Sequence, residues 1–447
     1  RDDNKYKRSN MTEATLDHVE TKPKESMAIR ATVASSVGAA LEWIDFAAYG
    51  AVAATVFPKL FFSAMDPNMG ILAAFITFGI GFFARPLGGI CFGMLGDRIG
   101  RKNILLYTLC LMGGASFLIG CLPTYQTIGI AAPIFLVALR FLQGFALGGE
   151  ATGAQLMTME HAPKGKRGLY GSFINIGSSF SSACANGMMF GLIAVMGIVE
   201  FESWGWRIPF WMSFLLVIVG VYIRMRVTET PAFKKAQSQG VTEKVSGLDV
   251  FKQYPRTILR LLVIWCAPTA CFYVITVFSL SYLTKNLGMD SQMAFLCLAG
   301  ANLLAVLMVI GGGAMSDRLG RKPVMLFASV MMLLVSLIYF SLLDTKNWYV
   351  IFAAMAAFVG FLQIQSGVQP AFFAEPFPTK VRYSGSAAAY TGANLVAGGP
   401  TPFVVAWLLQ NSGGSTLPVT IFCAVIISVA MIAIIFSPET RHLEMSR

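Results

Sequence analysis

Twelve apolar runs of about twenty residues or more divide this chain, and they restrict it to one kind of fold. They lie at roughly 31–57, 69–95, 103–122, 130–158, 169–197, 207–225, 257–285, 291–315, 323–343, 348–374, 385–410 and 417–436. A hydrocarbon layer ~30 Å thick takes about twenty residues of helix to cross. Lipid offers an unpaired backbone group no partner, so only helices or a closed barrel can span it. The long alternating strands of a barrel are missing from the sequence, which leaves an all-α membrane protein with twelve transmembrane helices. The composition agrees: 55% of residues are hydrophobic and 13% charged, against about 25% charged in an ordinary soluble domain. Residues 1–30 are polar and the first apolar run is too long for a cleavable signal peptide. Met11 reads as a natural start.

Lysine and arginine set the orientation. The segments before span 1, after span 12, and between spans 2–3, 4–5, 6–7, 8–9 and 10–11 carry 28 of the 34 basic residues. The positive-inside rule then puts both termini in the cytoplasm. The net charge of +11 is accounted for by topology and attraction to the anionic leaflet, not by a nucleic-acid surface. All eight cysteines sit in apolar runs without CxxC pairs and read as small buried hydrophobes. The three histidines, His18, His161 and His442, fall in polar segments, so neither a metal site nor a histidine-based catalytic site is expected. No Walker A sequence occurs, which excludes an ATP-driven pump.

A charged turn is written twice. GMLGDRIGRK at 93–102 returns as GAMSDRLGRK at 313–322, each on the basic side after spans 2 and 8. A second echo follows spans 4 and 10: Glu160 to Arg167 and Glu375 to Arg382 both read E-x-x-P-x-x-x-R. The chain is therefore expected to be a duplicated six-helix unit. Its divisions are a cytoplasmic tail at 1–30, a six-helix bundle at 31–225, a basic and partly helical linker at 226–256, a second bundle at 257–436 and a cytoplasmic tail at 437–447.

Two parallel six-helix halves with D-R-x-G-R-K after spans 2 and 8 resemble the major facilitator superfamily. The resemblance is closest to its metabolite:proton symporter branch. It rests on LEWIDFAAYG (41–50), ARPLGGICFGMLGDRIGRK (84–102), RFLQGFALGGE (140–150), KGKRGLYGS (164–172), WGWRIPF (204–210) and ETPAF (229–233). It covers nearly the whole chain, most densely in the amino half. The resemblance implies two pseudo-symmetric bundles, no cofactor beyond the proton gradient, and co-transport of a proton with a small metabolite. Substrates known in the branch include α-ketoglutarate, citrate, shikimate, proline and glycine betaine, and the shared motifs do not choose among them.

The repeated turns have their own physics. Gly93 and Gly96 permit close helix packing. Asp97 beside a helix end can cap a neighbouring helix and face its positive dipole end. Arg101 can pair with Glu160 and Arg321 with Glu375. With Arg98, Arg167, Asp317 and Arg382 these residues form a candidate gate that holds the halves together at the cytoplasmic face. The alternative is that they only anchor short loops and set topology.

Ionisable groups at bilayer depth are costly and usually functional. Span 1 holds Glu42 and Asp45, with Tyr49 one turn beyond Asp45 on the same face. Span 2 holds Arg85. Span 4 holds Arg140, Gln143 and Glu150. A buried carboxylate favours its neutral form and can exchange a proton near neutral pH. Asp45 is the expected proton carrier, assisted by Glu42, with Glu150 a further candidate. Arg85 is the expected ligand for a substrate carboxylate, freed when Asp45 is protonated and reclaimed when it is not. A permanent structural bridge to Arg85 is the competing reading. Arg140 and Glu150, about 15 Å apart along one helix, each need a partner elsewhere. Arg207 is either a second cavity cation or an interfacial arginine in a belt with Trp204 and Trp206.

Neutral polar residues suit a wet midplane cavity: Asn175, Tyr273, Gln365, Tyr390 and Asn394, beside Tyr49, Arg140 and Gln143. Interhelical hydrogen bonding is the alternative for each. The carboxyl half has no acid or base at midplane depth, so charge chemistry is expected in the amino half. The sequence thus points to a monomeric, multi-pass bacterial inner-membrane symporter. It would bind a small molecule, a proton and the bilayer, and its cargo would be an organic acid resembling shikimate or a dicarboxylate. A zwitterionic osmolyte such as proline or betaine is the second reading. The osmosensing form of it is disfavoured because the sequence ends at Arg447 without a coiled-coil tail. A proton-driven exporter, a uniporter and a membrane enzyme follow as weaker readings.

Overall fold

The computed structural model describes residues 43–99, 101–148, 165–215, 249–378 and 381–443, with isolated positions between them. It is all helical among these residues. The twelve spans are α1 (43–55), α2 (Pro67–Ile99), α3 (Arg101–Cys121), α4 (Ala131–Leu147), α5 (Arg167–Ser203), α6 (208–215), α7 (Pro255–Asn286), α8 (Ser291–Leu319), α9 (Arg321–Leu343), α10 (Trp348–Ala374), α11 (Arg382–Asn411) and α12 (Leu417–Ile435). Eight of them are long and apolar enough to cross a membrane within the described residues, and two more are apolar but shorter. The fold class is the one expected among the described residues: an all-α arrangement of twelve helices in two halves. Of the 226–256 linker only 249–256 is described, and it contains a short helix, Asp249–Gln253.

Helices meet here by removing side chains rather than by interleaving them. In the amino half α2 packs on α4, and a Cβ on Gly144 would strike the Gly81 carbonyl while one on Gly148 would strike that of Arg85. This small-residue contact is the means by which helices approach in lipid, where no hydrophobic force separates protein from solvent. Gly81 has a second duty. A Cβ there would stand 2.9 Å from Arg140 Nε, so its absence makes the space that a buried guanidinium fills. We expect Gly144→Val to cost about 3 kcal/mol or more through overpacking, read as a lower thermal midpoint in detergent. An unchanged midpoint would disprove the close packing.

The halves join along two seams: α5 lies along α8, and α2 lies against α11. Glycines recur on the first seam, where a Cβ on Gly168 or Gly313 would meet the other residue's carbonyl. Within the carboxyl half α8 packs on α10, α9 on α10 and α12, and α7 on α11 and α12.

α5 breaks at Gly197, whose φ is +81°, and two further spans depart from the regular α-helix. α7 contains π-helical turns at Val274–Phe278 and Tyr282–Asn286, and α11 contains one at Asn394–Gly398. Such turns widen the helix and are common at functional sites. Here the first turn of α7 begins beside Tyr273 and that of α11 at Asn394, two residues that line the central cavity.

Candidate functional site

Asp45 is 2% exposed and Arg140 fully buried. Asp45 Oδ2 accepts a hydrogen bond from Ser116 Oγ of α3 at 2.5 Å and another from Gln143 Nε2 of α4. Gln143 Nε2 also lies 2.9 Å from Ser116 Oγ. The Gln143 carbonyl in turn accepts from Arg140 Nη1. One amide therefore stands between the buried carboxylate and the buried guanidinium. Among the described residues, Arg140 Nε and Nη2 have no hydrogen-bond partner. Aromatic faces stand in for them: the Arg140 Cζ lies 3.9 Å from the Tyr49 ring centroid, 4.0 Å from that of Phe46 and 5.2 Å from that of Phe78. A desolvated cation gains up to about 2 kcal/mol from such a face.

This arrangement differs from the expected one in its cation. The sequence makes Arg85 the partner of Asp45, whereas the structure links Asp45 to Arg140. Helix spacing explains the change: Arg140 and Gln143 are three apart on α4 and share a face, so the glutamine can extend the arginine's reach to α1. Arg85 is half-buried and stacks on Phe46 and Phe82, with its Cζ 4.5 and 4.7 Å from their centroids. Tyr49 does not face a cavity; it is fully buried and its hydroxyl donates to Thr77 Oγ1 at 2.9 Å. Glu42, Glu150 and Glu160 lie outside the described residues, as do the side chains of Asp97, Arg98 and Arg101.

A cavity of about 80 Å³ lies between the halves, walled by Trp43, Trp265, Phe272, Tyr273 and Tyr390. Asn175, Gln363 and Asn394 supply its amides. At about 10–15 Å³ per water it holds on the order of half a dozen. Asn175, Tyr273, Tyr390 and Asn394 thus stand where the sequence expects them. Gln365 does not. Its Nε2 donates to Ser329 Oγ of α9 at 2.5 Å and to the Met325 carbonyl at 3.2 Å, away from the cavity. Its neighbour Gln363, two residues earlier, lines the cavity instead. The two positions differ by ~200° around the helix, and polarity alone did not say which one faces inward. Arg207 also points elsewhere: it donates to the Leu122 carbonyl at the end of α3 at 2.8 Å and stacks 4.5 Å from the Trp206 ring.

At the end of the bundle where the basic loops gather, a cluster of buried charge crosses between the halves. Arg321 Nη1 meets Asp317 Oδ1 at 2.7 Å and Nη2 meets Glu375 Oε1 at 3.0 Å, with all three side chains nearly or wholly buried. Asp317 then accepts from the backbone N–H groups of Gly168 and Leu169 at 2.8 and 2.9 Å, the first turn of α5. A carboxylate there satisfies orphan donors and the positive end of the helix dipole. Arg167 donates to the Leu443 carbonyl, and Arg382 to the carbonyls of Ala374 and Phe377. The segment after α12 closes the cluster. Thr440 donates to Glu375, and Glu439 accepts from the amides of Arg321 and Lys322. Partial burial pushes the Glu439 carboxyl up, but four backbone amides together hold it below its ordinary value. Glu439 and Thr440 were legible as a third, shorter echo, since Glu229-Thr230 stands 210 residues earlier after span 6, but a dipeptide is too short to single them out.

The opposite end is tied more lightly. Lys285 donates to the Thr55 carbonyl at 2.9 Å, and Gln410 to that of Asn68 at 3.0 Å.

A family model described as sugar (and other) transporter matches the chain twice, over residues 31–244 and 233–446. The chain belongs to that family. The transporter is 36% identical over 436 residues to the inner membrane metabolite transport protein YhjE of Escherichia coli, covering 96% of this chain and 99% of the relative. It is 37% identical to the E. coli shikimate transporter over 90% of this chain and 94% of the relative. It is 35% identical to the E. coli proline/betaine transporter over 92% and 84%. Its backbone matches the proton:xylose symporter XylE, with TM-score 0.73 at 16% identity over 95% of this chain and 98% of that one. The double match agrees with the repeat read from the two charged turns. The transporter is not an enzyme.

Proposed function

We propose that this transporter is a proton-coupled symporter of a small organic acid. It works by alternating access as a monomer in a bacterial inner membrane, with both termini in the cytoplasm and the proton gradient in place of any cofactor. The observation that carries this reading is the sealed Asp45–Gln143–Arg140 chain. A carboxylate in a dry site is costly unless a cation compensates it. When Asp45 is protonated, Arg140 loses its claim on it and is available to favour a nearby anion. When Asp45 ionises, Arg140 is drawn back through or past Gln143. Proton occupancy and anion occupancy therefore favour each other, which is the thermodynamic content of symport. Arg85, stacked on the same ring as Arg140, adds positive potential toward the cavity. The contacts at the two ends of the bundle would break in turn as the halves rock about the cargo.

A zwitterionic osmolyte is the second reading, and one observation favours it. The described cavity lining has five aromatic side chains and no formal charge, a setting that suits an ammonium group. Counterflow in proteoliposomes decides between them. Radiolabelled shikimate exchanged against shikimate, citrate, α-ketoglutarate, proline or betaine is expected to respond to the acids and not to the osmolytes. External alkalinisation is expected to accompany uptake. No exchange of shikimate beside counterflow of radiolabelled proline or betaine would replace the acid with the osmolyte, and uptake without alkalinisation would remove the proton. Efflux from everted vesicles with no cellular uptake would make it an exporter.

A further inference from the structure

Phe46 belongs to the charge network and the cavity at once. Its ring, 2% exposed, lies under two guanidiniums from different helices: Arg140 Cζ at 4.0 Å and Arg85 Cζ at 4.5 Å from its centroid. It packs edge-on against Phe82 at 4.9 Å and tilted against Phe78 at 5.3 Å, and both of those rings touch Tyr273 at 5.3 Å. Phe46 and Phe78 also line a small void of about 20 Å³ that shares Trp43, Ser178, Phe272 and Tyr273 with the larger cavity. Among the described residues a path of rings thus leads from the cavity wall to the proton site. Arg140 depends on them, since Gln143 is the one side-chain acceptor it has among the described residues and two of its nitrogens have no hydrogen-bond partner. A void this small cannot admit a solute without moving its walls, and a close-packed interior passes such displacements on.

We propose that Phe46 is the positioning residue that couples cargo to the proton. Cargo in the cavity pins its ring against Arg140 and so holds the guanidinium off Asp45, whose carboxyl keeps its proton. When cargo leaves, the ring turns, Arg140 closes on Asp45, and the proton passes to water. This rests on the proton-symport reading above. Two states of one aromatic side chain then supply the differential contact that any ligand-driven shift requires.

The test measures uphill accumulation and counterflow of radiolabelled shikimate, citrate, α-ketoglutarate, proline and betaine in the same proteoliposomes. Phe46→Leu and Phe46→Met keep apolar bulk and remove the ring face. Each is expected to lower the ratio of accumulation to counterflow about tenfold, the effect of losing one to two kcal/mol of cation–ring attraction. Phe46→Tyr keeps the face and is expected to keep the wild-type ratio. Loss of all transport in both ring-free variants beside an intact Phe46→Tyr supports the ring as the required feature. A wild-type ratio in either ring-free variant, or a lowered ratio in Phe46→Tyr, overturns the proposal. If Asp45→Asn still accumulates cargo, or the wild type accumulates none of shikimate, citrate, α-ketoglutarate, proline and betaine, the symport reading itself fails and takes this inference with it.

Discussion

Asp45→Asn is expected to abolish proton-driven accumulation while cargo still exchanges across the membrane. Asparagine has the size of the protonated carboxyl and can still accept from Ser116 and Gln143 at the position of Oδ2. What it cannot do is ionise. Counterflow uses only the loaded form, so it continues within about an order of magnitude of wild type. Net uphill uptake requires the unloaded carrier to return with an ionised carboxylate, so internal cargo rises to the external concentration and no further. The measurement is cargo uptake under an imposed pH gradient beside counterflow in matched vesicles. Accumulation at the wild-type level in the variant would remove Asp45 from coupling altogether. Ser116→Ala removes one donor and leaves the ionisable group, so it is expected to retain accumulation.

The second large effect belongs to Arg321. Replacing it by alanine leaves Asp317 and Glu375 buried without their cation. Breaking a buried pair from one side costs about 3–5 kcal/mol, and here one arginine serves two carboxylates. The thermal midpoint should fall. The equilibrium between conformations should shift as well, because Asp317 no longer stands oriented to cap α5 across the seam. Alkylation of a cysteine placed by S172C, in a background without native cysteines, reads that opening. Ser172 is buried on the seam, so the reagent is expected to reach it faster in the Arg321→Ala protein. Arg321→Lys keeps the charge and loses the planar fork that meets two acids, so partial recovery is expected. An alanine variant as stable and as closed as wild type would mean that the cluster does not hold the halves.

The sequence makes much of this legible because duplication leaves a mark that needs no coordinates. The recurrence of D-R-x-G-R-K and E-x-x-P-x-x-x-R leads directly to the Asp317–Arg321–Glu375 cluster. Apolar run length gives the spans because lipid tolerates so few alternatives. What the sequence hides is rotation about each helix axis. Arg85 and Arg140 are equally improbable at midplane depth, and nothing in the residue order says which one turns toward α1. Gln363 and Gln365 are equally polar, and a cavity at one face separates them. The π-helical turns of α7 and α11 add to the difficulty, since each inserts a residue into the count on which any facing argument depends. Ser116 was passed over because a lone serine in an apolar span has a local partner in the preceding turn. Its hydroxyl lies 3.0 Å from the Met112 carbonyl and 2.5 Å from Asp45 Oδ2, and its single proton serves one of the two at a time.

The groups that titrate and the groups that touch the cavity come largely from different halves of the duplication. Asp45, Gln143 and Arg140 stand on α1 and α4, whereas Trp265, Tyr273, Gln363, Tyr390 and Asn394 stand on α7, α10 and α11. If Asp45 carries the proton, energy source and most of the cargo wall are written on separate stretches of one gene, with Trp43 and Asn175 in the amino half's share of that wall. On the symport reading, a library at Trp265, Gln363, Tyr390 and Asn394 would search new cargoes while sparing the motor, whereas Tyr273, which packs on Phe78 and Phe82, belongs to both.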